Sequence, residues 1–225
     1  MYKRQPQFNP IPTELTTAAT DLVLGVLAVG CASYLVRFRE SDPWKVTLWS
    51  WLYGMFAAAA LLGAVAHGFA WSAAVWDLLW LPLFLLLGLT VALFVVGAIY
   101  DLRGLPAARR SVPFLMLLAL VFFGVTQVAS GAFLVFVLYE AAAMLFALGV
   151  YGYLAATEAN RAMSLMVLGV GLNIVAAAIQ ATQAASFTFI WPFDHNGVFH
   201  LVQMVALVVL CAGLQSSLVS STVRS

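Results

Sequence analysis

Charge is what this chain has least of. Only 8% of its 225 residues are Asp, Glu, Lys or Arg, against about 25% in an ordinary soluble domain. Lysine is scarcer still, with Lys3 and Lys45 alone. Neither falls within an apolar run, which excludes a buried Schiff base of the retinal kind. The formal net charge of +1 supplies no basic face, so nucleic acid is excluded as a partner. The two cysteines, Cys31 and Cys211, both lie in apolar runs and read as small packing residues, not as half-disulfides. Short alternating apolar segments of the transmembrane β-barrel type are missing too.

What is there is apolar. Hydrophobic residues make up 64% of the chain and mean hydropathy is +1.01. A water-soluble fold of this size cannot hide so much apolar surface and keep a polar coat. The chain therefore reads as an all-α integral membrane protein, expected in a plasma or bacterial inner membrane and in contact with its lipid. A helix needs about 20 apolar residues to cross about 30 Å of hydrocarbon. Uncharged runs at 14–37, 46–70, 77–100, 111–128, 132–156, 162–185 and 195–219 predict seven spans in one domain covering 1–225. Breakers separate them, including the stretch Asp101 to Pro106 and a tight turn at Ser130-Gly131. With the amino terminus outside and the carboxy terminus cytoplasmic, eight of ten basic residues fall on inner loops, leaving Lys3 and Arg4 outside.

Polar groups within a bilayer are costly, and by default they mark a site. Glu14, Thr17 and Asp21 share one face of the first span at i, i+3 and i+7. His67 ends the second span and Asp77 opens the third. Glu140 lies about two turns into the fifth, and Asn173, Gln180 and Gln183 are on the sixth. The seventh opens on Asp194, His195 and Asn196 and continues through His200 and Gln203. All three histidines and five of nine carboxylates thus fall toward the outer side. The pattern predicts a polar cavity at that side, closed by apolar residues toward the cytoplasm. Each group also has a structural reading: Glu14 against the helix dipole, Asp77 and Asp194 as helix N-caps, the amides as interhelical glue. Trp71, Trp76, Trp80 and Trp191 read as an interfacial belt and not a binding box.

Metal chemistry is the sharpest expectation. A catalytic zinc takes three protein ligands and a water, and His67 and His200 stand at similar depth. His195 and His200 are about 140° apart on a regular helix, so His195 joins only through an unwound first turn; otherwise Asp194, Asp77 or another carboxylate completes the shell. Asp77 or Glu140 would then serve as base or orienter of a zinc-bound water. The histidine late in the second span, the aspartate ten residues on and the histidine pair opening the seventh resemble the CREST superfamily. That group holds alkaline ceramidases, progestin and adipoQ receptors and hydrolases that remodel lipid anchors. The resemblance implies zinc on His67 and His200, Asp77 as the water-orienting acid, and hydrolysis of a lipid-like amide or ester. Gly63 and Asn196 stand where that group has a serine and the first histidine of its paired motif. The competing expectation is a non-catalytic seven-helix sensor, or an accessory subunit of a membrane complex, that binds a ligand in the same cavity.

Overall fold

The computed structural model describes residues 7–129, 131–158 and 160–222. Lys3, Arg4 and Ser130, on which the expected orientation and one turn draw, lie outside them, as does Arg224, one of the eight basic residues assigned to the inner side. The elements are α1 (Pro12–Leu35), a 3₁₀ turn (Val36–Phe38), α2 (Pro43–Gly68), α3 (Ala73–Val128), α4 (Ala132–Glu158) and α5 (Arg161–Thr182). A two-stranded hairpin, β1 (Phe187–Thr188) and β2 (Pro192–Phe193), leads into α6 (His195–Thr222). Among the described residues, six helices are long and apolar enough to cross a membrane, as an all-α membrane protein requires.

Helix starts follow local chemistry. Pro12 and Pro43 occupy first-turn positions of α1 and α2, where the missing N–H costs nothing. Asp42 caps α2 by accepting from the Lys45 amide, and Asn160 caps α5 through the Ala162 amide. Asp194 does the same for α6, accepting from the amides of Asn196 and Gly197. Ser72, not Asp77, precedes α3; Asp77 lies inside the helix.

The third helix is where sequence and structure differ. The expected loop between 100 and 111 is helical on both sides of one residue, Gly104, at φ 76° and ψ −180°. Only glycine adopts that conformation without strain, and Pro106 then starts the second arm, where a proline is tolerated. The arms fold back on each other. A β-carbon at Gly88 would lie 2.7 Å from the Phe122 ring and 3.5 Å from the Ala119 carbonyl. In one straight helix those residues would be about 50 Å apart.

The helices form a closed ring, each packing on the next and α1 packing on α6. Trp49, Tyr151, Leu24, Met166 and Leu214 are fully buried inside it. Val26, Leu117, Leu120, Leu138 and Leu145 are exposed on its outside. Apolar side chains on both faces suit a helix bundle bathed in lipid. Cys31 and Cys211 are buried free thiols, as expected.

Candidate functional site

Glu14, Thr17 and Asp21 do share one face, and each finds a different partner. Glu14 Oε2 lies 2.7 Å from His67 Nδ1. The Thr17 hydroxyl donates to Asp194 Oδ1 at 3.5 Å. Asp21 Oδ1 lies 3.3 Å from His200 Nε2, and the other ring nitrogen of His200 is 2.9 Å from the Thr20 hydroxyl. One face of α1 therefore organises the ends of both α2 and α6. Gly63 makes this possible, because a β-carbon there would lie 2.6 Å from Asp21 Oδ2. The side chain missing at Gly63 leaves the space Asp21 occupies.

These groups surround a cavity of about 580 Å³. Asp21, His67, Glu140, Asn173, Gln180, His195, Asn196, His200 and Gln203 all line it, together with Trp49, Tyr53, Trp80 and Phe136. Glu14 and Asp194 stand behind the wall, holding His67 and capping α6. The Gln180 amide donates to the Asn196 side chain, and Asn173 donates to the Gly169 carbonyl at 3.1 Å. Asn173 is therefore partly occupied within its own helix, whereas the Gln180–Asn196 bond crosses from α5 to α6 as interhelical glue would. Asp77 is exposed and does not line the cavity. Gln183 does line it, at the αL end of α5.

One tryptophan has a different place from the one the sequence suggests. Trp80 lines the cavity and sets its ring edge-on to His67 at 6.1 Å, beside Trp76 at 5.7 Å. Trp191 remains exposed near Phe189 and Ile190 on the hairpin tip, as an interfacial residue would be. Three residues of this wall also hold a buried polar atom without a partner among the described residues: Trp49 Nε1, which packs toward Gly97, Trp80 Nε1 and Gln180 Oε1. An unsatisfied buried group costs about 1–3 kcal/mol.

Metal donors are less well arranged. Each of His67 and His200 has an oxygen partner on Nδ1, the support a zinc-bound histidine usually has. Yet among the described residues no three His, Cys, Asp or Glu side chains converge to hold an ion. A donor set of that kind does not meet the three-ligand requirement of catalytic zinc.

A second polar cluster went unread in the sequence. Lys45, counted there as an inner-loop cation, is buried in the first turn of α2. Its Nζ donates to Asp101 at 2.6 Å and to Ser217 at 2.7 Å. The Tyr151 hydroxyl also donates to Asp101, at 3.2 Å, and Tyr100 donates to Asp42 at 2.5 Å. The signal was available: single opposite charges at the same ends of neighbouring spans.

Residues 16–218 match the family of unknown function DUF6962. No curated protein and no solved structure matches the chain. That match takes in every helix of the ring and every residue of the cavity wall, so the chain belongs to the DUF6962 family.

Proposed function

We propose that this protein binds a small amphiphilic molecule, with the character of a single-chain lipid, in the cavity between its helices. The observation that carries the reading is a mostly apolar cavity whose wall holds a few polar side chains, among them Glu140 with no partner among the described residues. A cavity of about 580 Å³ lies within the roughly 300–1,000 Å³ of ordinary ligand sites. Its wall is mostly aromatic and aliphatic, with Asp21, Glu140, Gln180 and His200 as the few polar contacts that would fix a headgroup. The role is that of a ligand-binding sensor or an accessory subunit of a membrane complex.

The same reading includes seven spans, with the amino terminus outside and the carboxy terminus cytoplasmic. A 56-residue α3 is about 84 Å of helix at 1.5 Å per residue, far more than one crossing of about 30 Å. Its reversal at Gly104 supports two crossings. Arg37, Arg39, Arg103, Arg109, Arg110 and Arg161 would then share the inner side. Cysteines placed at exposed Arg109 and exposed Gln183 should react with an impermeant maleimide from opposite sides of the membrane.

The binding reading is tested by titrating decanol into the protein in nanodiscs. Saturable binding is expected in the wild type and should be lost in Ala177→Trp, which fills the cavity. Equal binding by both would contradict it. One observation favours a second reading, zinc-dependent hydrolysis of a lipid-like amide or ester: the Nδ1 anchoring of His67 and His200. Elemental mass spectrometry of the wild type beside His67→Ala and His200→Ala separates the two readings. Near-stoichiometric zinc lost in both variants favours the hydrolase, and no zinc in folded wild type favours the binding protein.

A further inference from the structure

The cavity wall carries an imbalance of charge that points to its ligand. Two carboxylates line it, Asp21 and Glu140, while no lysine or arginine among the described residues does. Asp21 has the His200 ring beside it. Glu140 has no hydrogen bond or ion pair with any described residue, although it is only 8% exposed. A buried carboxylate without a partner is among the most costly groups a protein can hold, and in a membrane span such a group marks a site. Its surroundings are aromatic. Phe136 lies one turn earlier on α4, on the same cavity wall, and packs in one cluster with Phe84 and Trp80. A carboxylate on a cavity wall that also carries aromatic side chains is the combination that recognises an organic cation, by ion pairing and cation–π attraction together.

We propose that the cavity takes a lipophilic organic cation, an amine or quaternary ammonium on an alkyl chain, with its charged group at Glu140. This rests on the reading of the cavity as an amphiphile site and names the headgroup. The chain would lie along the apolar wall formed by Leu87, Val91 and Met144. The cationic group could belong to a free alkylamine or to the headgroup of a choline lipid, since both present the same chemistry to a carboxylate.

The test compares decylammonium with decanol, equal in chain length and different in charge, on protein in phosphatidylglycerol nanodiscs. Wild type should bind decylammonium about tenfold more tightly than Glu140→Gln does, a ratio in the range expected for a desolvated cation site. Decanol should still bind Glu140→Gln saturably, which shows that the variant is folded, and any weakening should be much smaller than the loss for decylammonium. Glu140→Asp, keeping the charge, should keep the preference for the cation. Repeating the titration in phosphatidylcholine distinguishes the sources: a weakened wild-type preference identifies choline headgroups as occupants, and an unchanged one identifies a free amine. Equal decylammonium affinity in wild type and Glu140→Gln overturns the cation assignment while leaving the amphiphile site standing. So does loss of the preference in a Glu140→Asp protein that still binds decanol. Failure of wild type to bind decanol as well would overturn the amphiphile reading itself.

Discussion

The two ends of the helix ring hold polar clusters of opposite design. At one end Lys45, Asp101, Ser217 and Tyr151 satisfy one another around a single ion pair whose side chains are 4% and 7% exposed. At the other, Asp21, Glu140, Gln180 and His200 stand around open volume, and Glu140 and the side-chain oxygen of Gln180 have no partner among the described residues. Burying charge is costly in either place. Where the partners are supplied by the chain itself, the cluster fixes helices together; where they are not, the wall is ready for a ligand. The lesson is that a polar residue in a membrane span indicates function by its missing partner more than by its presence.

The largest loss is expected at the closed end. Lys45→Met leaves Asp101 buried without its cation, and a loss of about 3–5 kcal/mol is expected, read as a lowered unfolding midpoint in detergent. Replacing Asp101 by Leu in the same protein should recover much of that loss, because no uncompensated charge is left. At the open end, Gly63→Ala drives a β-carbon into Asp21. A cost of about 1–3 kcal/mol is expected for such overpacking, and a clearly smaller cost when Asp21→Ala is already present, since the clash is removed. A double-mutant cycle measures this directly.

Smaller effects sharpen the same contrast. Glu14→Gln removes the charge but keeps a hydrogen-bonding side chain beside His67, in a pair whose side chains are 24% and 14% exposed, and should cost about 1 kcal/mol, with the melting curve as the check. Asp77→Asn should leave both stability and decanol binding unchanged, because Asp77 is exposed and off the cavity wall. The zinc-hydrolase reading predicts the reverse, a loss of function at Asp77.

Periodicity made the open end legible. The i, i+3, i+7 spacing of Glu14, Thr17 and Asp21 placed them on one face, and the structure gives that face to His67, Asp194 and His200. The closed end was hidden because Lys45 and Asp101 each flank a span, where a lone charge is usually solvated. Only the docking of α2, α3 and α6 turns those two flanking charges into a buried pair. The break in α3 was misjudged for a related reason. A run of polar residues, Gly and Pro reads as a loop, but one glycine at positive φ reverses the chain and leaves the residues around it helical. Asp77 was misplaced because ten residues of spacing from His67 fix sequence distance and not facing; the helix turns that side chain outward.

The most direct measurement is photolabelling in nanodiscs with a diazirine-bearing decanol, followed by mapping of the modified peptides. Labelling that excess decanol suppresses should fall on α4 around Phe136 and Glu140 and on α6 around Asn196 and His200, and should vanish in Ala177→Trp. Suppressible labelling confined to the lipid-facing side chains, Leu117, Leu120, Leu138 and Leu145 among them, with none on the cavity wall, would contradict the account.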